Sequence, residues 1–178
     1  ALELTRQQGN RASLQRLIYR LARLRLAEGK PEVALALLDE VRDTDSEPLG
    51  FSWLPALLLL LGKIDVACGY AAMARSRYRA SLIAYQEKKN IYGLALVLEA
   101  LAALEQHERR ELNAARCRGA AAGLREAIAP LSWHPMDRYA FETPSSQQFH
   151  HPDQKAAWLA GYALTPGQAV EEALVWLG

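Results

Sequence analysis

Cysteine is scarce in this 178-residue chain, which excludes a disulfide-stapled scaffold. Cys68 and Cys117 lie far apart in Ala-rich stretches, where a free cysteine behaves as a small buried hydrophobe, so a reducing, cytoplasmic setting is expected. An excess of charge is missing as well. A formal net charge of +1 gives no long-range field for nucleic acid or an anionic membrane, and direct binding of either is not expected. Long apolar runs are lacking: the most hydrophobic one, residues 54–61, carries Pro55 and ends at Gly62-Lys63, short of the roughly 20 residues a spanning helix needs. No signal peptide or membrane segment is predicted. Glycine and proline are sparse between Ala1 and Leu131, and alternating β-branched runs are absent, so helices are expected almost throughout. The expected class is all-α. A chain of this length buries roughly 70% of its unfolded surface, enough for one domain with no metal or cofactor to hold it together.

What is present is a repeat. Gln7-Gln8-Gly9-Asn10 falls into register with Glu87-Lys88-Lys89-Asn90 at a shift of about 80 residues. In that register Leu14, Leu21, Ala22, Leu24 and Ala34 meet Leu94, Leu101, Ala102, Leu104 and Ala114. The first repeat has a helix over residues 11–27, with Leu14, Leu17, Ile18, Leu21 and Leu24 on one face. Gly29 suits the left-handed position after that helix, and Pro31 the first turn of the next, whose inward residues are Val33, Ala34, Leu37, Leu38 and Val41. Residues 43–49 form a polar connection. In the middle repeat Leu58, Leu61-Gly62, Gly69-Tyr70, Ala74 and Tyr78 stand where a tetratricopeptide unit has its large residue, its Leu-Gly pair, its turn glycine, its small crossing residue and its aromatic. That pattern is steric, since a small residue lets two helices cross closely and a large neighbour fills the gap. The third repeat pairs helices over 90–106 and 109–128.

After Pro130 the composition changes to a loop with Trp133, His134, Pro135, Pro144, Ser145 and Ser146. Two short helices follow. Asp153 is expected to cap residues 154–163, and Thr165-Pro166-Gly167-Gln168 forms a capping box leading into 169–176. Trp158, Leu159, Val170, Ala173, Leu174 and Trp176 are expected to cover the last repeat, because the end of a solenoid otherwise exposes its apolar face. The reading is thus a tetratricopeptide-like helical-hairpin solenoid of about three repeats over 1–129, with a loop and C-terminal capping helices over 130–178 in the same domain.

Leu98-Glu99, Leu101-Ala102-Ala103-Leu104, Ala114-Ala115-Arg116, Gly119-Ala120-Ala121 and Leu124-Arg125-Glu126, with Ala156-Ala157-Trp158, Gly161 and Leu164-Thr165 further on, give the chain a family resemblance. It resembles the helical-repeat C-terminal region of bacterial signal-transducing ATPases and LuxR-type, maltose-regulator-like transcription regulators, over about two thirds of its length. The chain departs from the pattern at Arg109, where a turn glycine is usual, and at Pro144 and residues 147–152, which interrupt a helix and leave the conformation of 143–153 open. The resemblance implies a sensor or partner-binding arm behind a nucleotide switch. The switch itself is not in this sequence: Gly62-Lys63-Ile64 lacks the upstream glycine and the hydroxyl of a phosphate loop. Residues 1–8 read like the end of a helix, so the chain is expected to be part of a larger protein.

The sharpest candidate site is Arg16, Tyr19, Arg20 and Arg23 on the first helix, with no acid between Arg11 and Arg25. Guanidinium forks clamp carboxylate or phosphate bidentately, so these residues would form a ligand groove; the competing reading is a solvated helix face. Catalysis finds little support. Adjacent His150 and His151 diverge, His107 and His134 are isolated, and Glu99 with Glu105, like Glu171 with Glu172, project from different faces. An enzyme site between repeats and cap would draw on Arg125, His134 and Asp137. The expectation is a non-catalytic regulatory module binding a protein, a peptide, a small effector or other domains of its parent, with a stand-alone adaptor or effector receptor as the alternative.

Overall fold

The computed structural model describes residues 11–43, 54–128, 149 and 151–178. Among these the chain is all-helical, in eight helices: α1 Arg11–Ala27, α2 Pro31–Asp43, α3 Leu54–Ala67, α4 Ala71–Glu87, α5 Ile91–His107, α6 Glu111–Ile128, α7 Pro152–Tyr162 and α8 Pro166–Leu177. No described helix is long and apolar enough to cross a membrane. The expected register segment 7–10, the polar connection beyond Asp43 and most of the loop 130–150 lie outside the described residues.

Four of the connections are one turn used four times. Gly29, Gly69, Lys89 and Arg109 all have positive φ, of 72°, 83°, 51° and 60°. The next N–H folds back over each: Lys30 donates to Arg25 O at 2.9 Å, Tyr70 to Asp65 O at 2.8 Å, Asn90 to Tyr85 O at 3.0 Å and Arg110 to Glu105 O at 2.8 Å. This bond closes the orphan carbonyls at a helix end when the residue after the cap is left-handed. Glycine takes that conformation without strain, so Lys89 and Arg109 hold it against the crowding of their own Cβ. Arg109, where the sequence lacked its expected glycine, therefore keeps the turn. Five residues after Gly29, Gly69 and Arg109, Ala34, Ala74 and Ala114 are fully buried, each in the first turn of a new helix.

The chain divides into two compact units, Ala1–Ala74 and Arg75–Gly178. In the first, Ala22, Ala34, Leu38, Leu60 and Ile64 form a core, with Tyr19, Leu26, Leu37 and Cys68 packed against it. Leu24 and Val33, expected inward, are exposed. In the second, α5 contributes Leu94, Leu98, Leu101 and Leu104 to the buried set, while Ala115, Ala122 and Trp158 form a cluster joined by Phe149, Ala157 and Tyr162. Here α6 and α7 approach backbone to backbone. A Cβ at Gly119 would overlap the Trp158 carbonyl oxygen and lie 2.8 Å from its carbon, and one at Gly161 would overlap the Arg116 carbonyl oxygen and lie 2.9 Å from its carbon. Glycine is needed at both places because no side chain fits between the helices.

The capping expectations divide. Thr165 caps α8 in a full capping box with Gln168, its hydroxyl accepting from Gln168 N–H at 3.4 Å. For α7 the cap is His151, whose ring nitrogen accepts from Asp153 N–H, and not Asp153 itself; Pro152 at the first helical position starts the helix before Asp153 is reached. Trp158, Val170 and Ala173 are buried as expected, whereas Leu159 is exposed because it points away from α6.

Candidate functional site

On α1 the guanidinium residues Arg16, Arg20 and Arg23 are exposed. Tyr19 lies between them in sequence but packs into the core of the first unit, its hydroxyl donating to Ala56 O at 3.4 Å. The Arg23 guanidinium carbon sits 6.0 Å from the centre of the Tyr19 ring, an arrangement that favours the cation over the aromatic face. Burial pushes the Tyr19 phenol up, and Arg23 partly opposes that shift. Tyr19 thus acts as a fixed shelf for Arg23 more than as a free hydrogen-bonding group.

A denser polar site lies in the second unit. Leu94, Leu98, Leu101 and Glu105 recur at i, i+4, i+7 and i+11 along α5, so Glu105 occupies the helix's apolar face and is completely buried. A carboxylate there is tolerated only if its lone pairs are filled. Four donors fill them: Arg75 Nη2 at 2.8 Å, Arg110 Nε at 2.6 Å, Arg110 Nη2 at 3.0 Å and Asn113 Nδ2 at 3.0 Å. Glu108, half-buried just beyond the end of α5, ties the two arginines together, pairing with Arg110 and accepting from Arg75 at 2.5 Å. The left-handed turn at Arg109 is what swings Arg110 and Asn113 back over Glu105.

This network meets α8. Arg75 Nη1 donates to Trp176 O at 2.6 Å, and Arg79 Nη1 to Gly178 O at 2.7 Å and Leu174 O at 3.5 Å. These are the carbonyls a helix end leaves without partners, and cations there also complement its dipole. Arg116 on α6 forks onto Glu172, with Nε at 2.5 Å and Nη2 at 2.6 Å from the two carboxylate oxygens. That bond holds the Glu172 carboxyl below its usual range and raises Arg116. Between the network and the end of α8 an open cleft of about 340 Å³ remains, lined by Arg75, Glu105, Arg110, Asn113, Trp176, Leu177 and Gly178.

The other chemically suggestive residues stay apart. Glu99 pairs with Arg125, Glu171 is exposed, and His107 lies exposed at the end of α5. His134 and Asp137, two of the three residues an enzyme site would have drawn on, lie outside the described residues. Cys68 and Cys117 are free thiols, the first half-buried and the second buried, and burial pushes both up. No group of three His, Cys, Asp or Glu among the described residues is placed to hold a metal ion. The Glu105 network was missed in sequence because Arg75 comes from a helix 30 residues away and Arg110 and Asn113 reach Glu105 only across the turn between α5 and α6. Its one visible signal was an acid at an inward heptad position of an otherwise Ala- and Leu-rich helix. No family model, curated protein or solved structure matches this chain.

Proposed function

We propose that the chain is a non-catalytic interaction module built as a tetratricopeptide-like helical-hairpin solenoid, and that it serves as the sensor arm of a multidomain cytoplasmic signalling ATPase or transcription regulator. The observation that carries this reading is the recurrence of one turn at Gly29, Gly69 and Arg109, at forty-residue intervals, each followed by a buried alanine. A fixed structural period with a small residue at the same place in each unit is the mark of hairpins that stack on one another. The resemblance of residues 93–126 to the last repeat of signal-transducing ATPases and LuxR-type regulators supplies the sensor role. Exposed Arg16, Arg20 and Arg23, with Tyr19 beneath them, supply an anion-binding face for a carboxylate or phosphate of a protein, peptide or small effector. A ligand preferring one arrangement of the repeats would bias the attached switch by population shift.

The test is the reading frame upstream of Ala1. An in-frame phosphate-loop ATPase or helix-turn-helix supports the sensor arm. A start codon within one helix length refutes it in favour of a free adaptor.

A further inference from the structure

Helices α1, α3 and α5 end at Ala27, Ala67 and His107, forty residues apart, so each position on one has a counterpart on the others. Arg23, Lys63 and Ala103 correspond, and all three are exposed, as suits a position that faces open solvent in every repeat. Arg20 and Leu24 behave differently. Their counterparts Leu60 and Ile64 on α3, and Ala100 and Leu104 on α5, are all buried, whereas Arg20 is exposed and Leu24 keeps 53% of its surface in water. Leu60 and Ile64 show what the position does, because they share one core with Ala34 and Leu38 of the preceding helix α2. With the exposed Arg16, Arg20 and Leu24 make a row at i, i+4 and i+8, its side chains about 6 Å apart along the axis. Such a row is the ridge with which one helix packs into the groove of another.

On α1, then, a helix-packing row is open to water, and two of its three members are cations. An apolar helix laid there would bury Arg20 without a partner, so a stable occupant has to bring carboxylates. The same cations keep the row soluble while it is empty, which a contact that forms and separates requires. We propose that the row of Arg16, Arg20 and Leu24 docks an acidic amphipathic helix of a partner protein, packed on α1 as α2 is packed on α3. The partner helix runs antiparallel to α1, sets a small residue against Leu24, and places carboxylates four and eight residues further on against Arg20 and Arg16, whose guanidinium forks accept them bidentately. Arg23, held over the Tyr19 ring, lies outside the row. The proposal names the partner of the interaction module and rests on that reading.

The probe is a fluorescein-labelled peptide with the sequence of residues 31–43 carrying Leu38→Glu and Arg42→Glu, held helical by a side-chain staple on its far face. It keeps Ala34 as the small residue and has acids four and eight positions after it. Titrated into the full chain and followed by anisotropy, it should bind saturably. Arg20→Ala should weaken that binding about fivefold, the effect of one exposed ion pair. Leu24→Ala should weaken it too, and Arg23→Ala should leave it unchanged; all three side chains are exposed, so the variants keep the fold. An Arg20→Glu chain should instead prefer a peptide with Leu38→Lys. Equal losses from Arg20→Ala and Arg23→Ala, or none from Leu24→Ala, would mark a diffuse basic surface and overturn the proposal. Equal or tighter binding of the unaltered 31–43 peptide would assign the row to a further apolar repeat, self-association abolished by Leu24→Glu would assign it to a second copy, and no binding at millimolar concentration would leave it without a helix; each overturns the proposal. A start codon close upstream of Ala1 would refute the sensor arm without touching these results, and failed peptide binding would refute the docking row alone.

Discussion

Replacing Gly119 by alanine tests the closest packing in the molecule. The added Cβ would overlap the Trp158 carbonyl oxygen and lie 2.8 Å from its carbon and 2.9 Å from Tyr162 N. Carbons in contact rest about 3.5–4.0 Å apart, so α6 and α7 must part by roughly 1 Å at the crossing. Every obstructing atom is main chain, which cannot rotate away as a side chain would. Overpacking of this kind destabilises by about 1–3 kcal/mol, and a rigid obstacle places it at the upper end. Alanine's better helix propensity returns about 1 kcal/mol, leaving a net loss of ~2 kcal/mol. For a chain of this size that lowers Tm by about 4–8 °C in a thermal melt followed by circular dichroism. Gly167→Ala, where no atom lies within 4 Å of the new Cβ, is the control and should change Tm little or raise it. A Gly119→Ala chain melting at or above the parent temperature would refute the account of how these helices meet.

Four other outcomes follow from the same geometry. Gly69→Ala should lose ~1 kcal/mol in urea unfolding from its left-handed φ of 83°, whereas Arg109→Gly should hold or gain stability; the reverse order would remove the shared-turn explanation. Arg75→Ala strips the buried Glu105 of one charged partner while Arg110 remains, so it should cost about 2–3 kcal/mol, more than Arg110→Ala on the exposed side. Because Glu172 titrates lower in the folded chain than its ordinary 4.5, its contribution is complete above that value and fades as pH falls through the folded value. The protection of α8 amides relative to the intrinsic exchange rate at each pH should therefore fall below about pH 4.5, and unchanged protection would show that the ion pair does not hold the helix. Finally, a disulfide-exchange reagent at neutral pH should label Cys68 well before the buried Cys117, whose thiol burial pushes far up; equal rates would contradict that burial.

The class of the fold and the extent of its helices were legible in the sequence, because apolar spacing and helix punctuation act locally. Residues 11–27 end where Gly29 ends them, and Thr165 and Gln168 cap α8 through neighbours three residues apart. Arg109 shows where local reading weakens, since a turn can be imposed on a non-glycine residue when the bonds around it repay the strain. His151 shows it at finer scale: Asp153 was the expected cap, but Pro152 starts the helix before it and His151 caps it instead.

What the sequence alone determined, then, is what depends on near neighbours: the helical class, the approximate extents of the helices and the turns at Gly29 and Gly69. Only the tertiary structure decided which of two similar acids on α5 is buried. Glu99 and Glu105 differ by less than two turns of helix, yet one meets Arg125 and the other sits completely buried beneath Arg75, Arg110 and Asn113. The difference arises because desolvation and pairing depend on groups brought together from across the chain, and no spacing within one helix encodes that encounter.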